Sequence, residues 1–230
     1  MYWPRWPIVL TFLAWHEYGV TINGTGDARV LQASLKWMQI AYQNITSNFP
    51  LDNGWGGFRW QDFLLPIQAL IDYPFTPAAE LPVLYQLQQE VYKQGIRVIY
   101  WERNWYVPGK FLTKSAPAWD MLPHGVNNAM AIKSGALVWR GGLNPAGNQS
   151  SYTRLSLYDQ YHTSPAGHFQ ADECLAGNSP SRGAETCLVV EEMFSLSIIH
   201  EAQGDALFAD REVFILYSGI FILPLLLLLM

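Results

Sequence analysis

The sequence predicts an all-α protein assembled from helical hairpins. Apolar residues recur at helical spacing in blocks of three or four turns, and Gly, Pro and Asn separate the blocks. No run of alternating apolar and polar residues reads as a strand. Thr25-Gly26-Asp27-Ala28 and Gln203-Gly204-Asp205-Ala206 each set a glycine helix end before an aspartate N-cap, which is a helix, tight turn, helix unit. Roughly six or seven helices joined in this way fit an array of α-hairpins, closed as a toroid or open as a solenoid.

In chain order, Ala28 to Ile45 sets Leu31, Leu35, Met38, Tyr42 and Ile45 on one helical face behind Asp27 as N-cap. The segment from Asn48 to Trp60 is dense in glycine and aromatic residues, and reads as a binding loop or as a buried aromatic plug. A helix follows from Gln61 to about Tyr73, with Pro66 expected in its first turn. The next runs from about Ala79 to Gln94, with Leu84, Leu87 and Val91 on one face, Pro82 near its start and Gly95 at the C′ position. Ile96 to Pro123, carrying Trp101, Trp105, Tyr106 and Trp119, reads as irregular surface or cleft wall. Three more helices are expected, from His124 to about Trp139, from Ser150 to Tyr161, and from about Glu185 to Gln203, the last ended by Gly204.

A net charge of -5 and the lack of Lys/Arg runs argue against a phosphate-binding surface, so nucleic acid is not an expected partner. Ten tryptophans and twelve tyrosines either fill a helical core or line a groove that stacks on sugar rings. Met1 to Pro7 has no apolar run after a basic segment, so these residues are not expected to act as a secretory signal. The triplets at Asn23, Asn44 and Asn148 match the N-glycosylation pattern and suit a secreted or extracellular parent protein. Cys174 and Cys187 form one disulfide or serve as thiols for a metal; two cysteines alone do not decide between these. Val213 to Met230 carries no charge over eighteen residues. It is expected to be either a transmembrane helix anchoring the chain or the unnatural end of a truncated or misread gene.

The densest chemistry lies between Ala171 and Glu192, where five carboxylates accompany both cysteines. Glu173 sits in a loop flanked by Gly and Pro, where burial can tune an acid to donate a proton at neutral pH; Asp172 is its partner or a cap. Glu185 and Cys187 stand at a helix start, where exposed N–H groups and the helix dipole favour carboxylate and thiolate, and both residue types bind zinc. The alternative is an ordinary helix-start Glu beside a buried Cys. His124, with Asn127 and Asn128, forms a grouping that can hydrogen-bond a hydroxylated ligand, and His162 and His168 flank a turn just before the acidic cluster. No Ser-His-Asp arrangement, phosphate loop or dinucleotide fingerprint is present.

Five segments in order resemble the catalytic domain of glycoside hydrolase family 127, the β-L-arabinofuranosidase-like proteins. They are Arg5-Trp6-Pro7, Gly57-Phe58-Arg59-Trp60-Gln61-Asp62, His124 through Ala131, Ala171-Asp172-Glu173, and Glu185 through Glu191. The resemblance covers residues 3 to 212 and implies a partial (α/α)6 barrel of the six-hairpin glycosidase type, a catalytic domain over 1–212 followed by the apolar tail 213–230. It implies a retaining hydrolase that removes terminal L-arabinofuranose from glycans, using a zinc-bound cysteine as nucleophile. Glu185 and Cys187 would be two zinc ligands, Glu173 the general acid/base, and His124, Asn127, Asn128, Trp60, Gln61 and Asp62 sugar-contacting residues. The family's adjacent Cys-Cys pair is missing from these residues, and Cys174 does not stand in for it. The expectation is therefore an inactive fragment whose missing helices leave an apolar flank prone to self-association.

Overall fold

A computed structural model of the chain describes residues 2, 4–47, 49–51, 54–103, 121–175, 177–179 and 181–221, with the backbone alone at 219–221. The fold is all-α, with no strand among the described residues. It divides into two compact units, Met1–Tyr100 and Trp101–Met230.

The first unit contains α1 (Trp6–Asn23), α2 (Ala28–Thr46), α3 (Trp55–Phe58), α4 (Trp60–Asp72) and α5 (Leu81–Val98), the last preceded by a 3-10 turn at Ala78–Glu80. Helix α1 is anticipated in the sequence only by its glycine end, because its apolar residues lie all round it and give no helical period. Its buried residues nevertheless fall at Trp6, Val9, Leu13 and His16, one face of a helix. The N-cap of α2 is Asp27, as expected: its Oδ1 accepts the Arg29 N–H at 3.0 Å. The glycine ending α1 is Gly24 and not Gly26. Gly24 adopts φ +71°, while Gly26 lies against the His16 ring. At the chain's other echo the reading holds, with Gly204 at φ +73° and Asp205 accepting the Leu207 N–H at 2.9 Å.

Aromatic rings fill the core of this unit. Phe63 stacks on Tyr2 and Trp6 with centroids 5.8 and 5.2 Å away, and Trp37 leans on it at 5.4 Å. Such pairs each contribute roughly 0.5–1.5 kcal/mol beyond area burial. Two expectations need correction. Pro66 lies in the second turn of α4 and is buried, since its ring contributes to the core face. Gly95 does not end α5 but lies inside it, because a Cβ there would meet the Trp60 ring at 2.2 Å. Glycine at 95 is what lets α5 close over the indole.

The second unit contains α6 (Gly125–Ala131), α7 (Ser134–Arg140), α8 (Gly147–Tyr161), α9 (Thr186–Gln203) and α10 (Ala206–Ile215), followed by a π-helical turn at Leu216–Phe221. The single helix expected from His124 to Trp139 is broken at Ile132–Lys133. Side chains of α8 take the carbonyls there: Ser151 Oγ donates to Ile132 O at 2.8 Å and Arg154 Nη1 to Ala131 O at 2.9 Å. Helix α9 packs on α6, α7 and α10 around a core that includes Leu155, Tyr158, Phe169, Leu188, Leu196, Ile199 and Phe208. Trp101, read as cleft wall, is fully buried, while Trp105, Tyr106 and Trp119 lie outside the described residues, as do Asn48, Asp52 and Asn53 of the aromatic loop. In the apolar tail, Val213–Ile215 completes α10 and residues 222–230 lie outside the described residues. No helix among the described residues is long and apolar enough to cross a membrane.

Replacing Gly95 with Ala is expected to destabilise the chain by about 1–3 kcal/mol through overpacking against Trp60. The check is a lower urea midpoint at an unchanged denaturant slope, and an unaltered midpoint would contradict the packing account.

Candidate functional site

His124 is the residue on which the site is built. It is the N-cap of α6, and its Nδ1 accepts the Asn127 backbone N–H at 3.2 Å. A ring nitrogen that accepts carries no proton, so the hydrogen of the neutral ring is on Nε2. That Nε2 lies 3.2 Å from Oε1 of Glu173. The histidine is almost fully buried and the glutamate side chain is exposed, so solvent reaches the pair from the carboxylate side.

The backbone holds this contact in place. Gly125 N–H donates to Glu173 O at 2.7 Å and Leu175 N–H to Pro123 O at 2.8 Å, an antiparallel bridge between His124 and Cys174. A second bridge, Ala171 with Leu175, bends the chain so that Glu173 stands at the turn, with φ +154°. Few non-glycine residues adopt that conformation, and it occurs at sites whose surroundings hold it. Asp172 is not Glu173's partner; it pairs with Arg182. The Glu185 N–H donates to Ala171 O at 3.0 Å, joining the turn to the start of α9. A Cβ at Gly125 would meet Ala171 Cβ at 2.5 Å and Leu188 Cδ1 at 2.6 Å, so the starts of α6 and α9 and the Glu173 turn converge there.

The structure thus brings His124, Glu173, Glu185 and Cys187 to the same end of the second unit. The other expected contact residues are buried. Asn127 and Asn128 are fully buried, and their amides hold the preceding loop: Asn127 Nδ2 donates to Met121 O at 3.0 Å, and Asn128 Nδ2 to Leu122 O at 2.7 Å. The Tyr158 hydroxyl donates to Asn128 Oδ1. In the first unit, Trp60 and Gln61 are fully buried and Asp62 nearly so. The Trp60 indole N–H donates to Ile99 O at 3.0 Å, and the Gln61 amide donates to Asp62 Oδ2 at 3.2 Å. His162 is buried, its Nδ1 accepting the Gly177 N–H at 3.2 Å, and His168 Nδ1 donates to Phe169 O at 2.9 Å.

Neither cysteine is in a disulfide. Partial desolvation and the adjacent Glu185 carboxylate hold the Cys187 thiol above its ordinary pKa, against the opposing pull of the backbone N–H groups at the helix start. A catalytic zinc takes three protein donors from His, Cys, Asp or Glu. No three such side chains converge among the described residues, and Glu185 with Cys187 supply two, so these residues alone do not fit the ion.

The sequence reading passed over a buried carboxyl beneath the turn. Glu192 of α9 is fully buried, accepts the Phe169 N–H on Oε2 at 2.8 Å, and has Arg211 Nη2 3.5 Å from Oε1. Burial pushes its carboxyl up to about 8, against the opposing pull of Arg211. Its signal was available: Glu192 falls on the buried face of α9 with Leu188, Val189, Ser195, Leu196 and Ile199. Lys133, also fully buried, donates to Ser195 Oγ at 3.2 Å.

No family model matches the chain, and no curated protein and no solved structure matches it.

Two buried groups set opposite pH dependences. Burial lowers His162 from 6.5 to about 4, so the unfolded chain binds the extra proton and stability rises with pH across that window. Glu192 is raised from 4.5 to about 8, so the folded chain holds the extra proton and stability falls as pH rises from 4.5 to 8. Between 6.5 and 8 Glu192 acts alone of the two, and denaturation at stepped pH is expected to show a loss of about 2 kcal/mol. Glu192→Gln is expected to flatten that slope, and a slope unchanged in the variant would contradict the assignment.

Proposed function

We propose that this chain is part of a glycoside hydrolase resembling the β-L-arabinofuranosidases, with Glu173 as the proton-transferring carboxylate. The observation that carries this reading is the Glu173 carboxylate, exposed at a turn and 3.2 Å from the Nε2 of His124. A glycosidic oxygen leaves as an alcohol and needs a proton from a positioned carboxylic acid. The His124 Nε2–H is held outward because Nδ1 is committed to the helix cap, so it can turn to a sugar hydroxyl without disturbing the fold. Glu173 would then face the leaving oxygen.

The helical hairpins α1–α2 and α9–α10, each joined by a glycine-led turn, support the finer reading of a partial (α/α)6 barrel. The two cysteines of these residues are not adjacent in sequence, and the Cys187 thiol is disfavoured as a thiolate. These residues are therefore expected to bind a terminal L-arabinofuranosyl group without turning it over.

The test is titration with methyl β-L-arabinofuranoside, followed by ligand-observed NMR, with methyl glucoside as control. The arabinofuranoside is expected to bind, His124→Ala to weaken it roughly tenfold through loss of one hydrogen bond, and Glu173→Gln to leave binding within a few-fold. No binding of any pentofuranoside would remove this reading, and arabinose release by the wild-type chain would overturn the claim of inactivity.

A further inference from the structure

The three Asn-x-Ser/Thr triplets sit in different local structures. Transfer requires the asparagine amide and the hydroxyl two residues later to approach each other. Within an α-helix, residues i and i+2 point to different faces and do not meet. Asn44 lies in the last turn of α2 and Thr46 is its last residue, where Thr46 Oγ1 donates to Tyr42 O at 2.7 Å. Asn148 and Ser150 both lie inside α8; Asn148 O accepts from Gln203 Nε2 at 3.0 Å, and Ser150 packs against Gly135 of α7.

At Asn23 the triplet instead leaves its helix. It is the last residue of α1, Gly24 reverses the chain with φ +71°, and Thr25 lies beyond the helix. Asn23, Gly24 and Thr25 are all exposed, and a Cβ at Gly24 would have nothing within 4 Å. The turn leaves the amide and hydroxyl free to come together, with open space around them for a bulky substituent.

We propose that Asn23 is the acceptor of an N-linked glycan when the chain passes through a secretory compartment. In that step the Asn23 amide nitrogen bonds to the anomeric carbon of a lipid diphosphate-linked oligosaccharide. The carbon–oxygen bond to the diphosphate breaks, the lipid diphosphate leaves with the electron pair, and the amide nitrogen gives up one proton. The inference does not depend on the sugar-processing reading. A glycan there would stand beside Ile22, at the end of an exposed apolar stripe on α1.

The test is translation of the full chain behind a cleavable secretory leader with glycosylation-competent microsomes. A reporter triplet appended after Met230 scores translocation. The wild-type chain is expected to carry one glycan beyond the reporter's, released by peptide N-glycosidase F with conversion of Asn23 to aspartate. Asn23→Gln and Thr25→Ala are each expected to lose that glycan, while Asn44→Gln and Asn148→Gln keep it. A translocated chain modified only at the reporter, or one whose additional glycan survives Asn23→Gln, would overturn the proposal.

Discussion

Two backbone hydrogen bonds, Gly125 N–H to Glu173 O and Leu175 N–H to Pro123 O, fix the geometry in which His124 and Glu173 meet. Each is worth only about 0.5–1.5 kcal/mol net. Their importance is positional: the main chain makes the connection, so the side chains of residues 124 and 173 remain available to meet each other. The pairing also requires Gly125, because any side chain there would push apart Ala171 and Leu188. The glycine, the histidine cap and the glutamate turn therefore form a single unit, and none of the three could be moved along the sequence separately.

Beneath that unit the core is unusually charged. Glu192, Arg154 and Lys133 are all buried, each spent on a structural task. Arg154 takes the carbonyls of Ala131 and Trp101, Lys133 reaches Ser195, and Glu192 receives the Phe169 N–H. Buried charges without partners cost several kcal/mol, so such groups persist only where the fold supplies partners or neutralises them. Glu192 takes the second course. Its carboxyl titrates near 8, and Arg211 directs its other contacts to Asp159, Thr163 and the Gly167 carbonyl. The segment entering the Glu173 turn is thus anchored at Phe169 by a carboxyl that is largely neutral at pH 7.

What could be read in the sequence follows from how local the determining physics is. Asp27, Gly204 and Asp205 were legible as caps because a cap is decided within a few residues. Glu173 and His124 were legible as chemical residue types, but their contact was not, since it spans 49 positions and rests on backbone bonds that no side chain announces. Asn127, Asn128 and Trp60 are ambiguous for the opposite reason: polar and aromatic groups suited to a sugar are equally suited to buried carbonyls. Gly95 looked like a helix end because its partner, the Trp60 indole, is 35 residues away. The break after Ala131 was hidden likewise, in the reach of Ser151 and Arg154 from a later helix.

The body of helix α1 gives no periodic signal, and the reason lies in its composition. Periodicity reveals a helix only when one face is apolar and the other polar. In α1 the buried face carries Trp6, Val9 and Leu13, while Ile8, Trp15, Tyr18 and Ile22 remain exposed on the outside. The uniform apolarity that removes the periodic signal is the same property that puts large hydrophobic side chains on the surface. A helix invisible to pattern reading in this way is one whose outer face water does not favour. In α1 that face runs from Ile8 to Ile22 and stops at Asn23, where the polar turn begins.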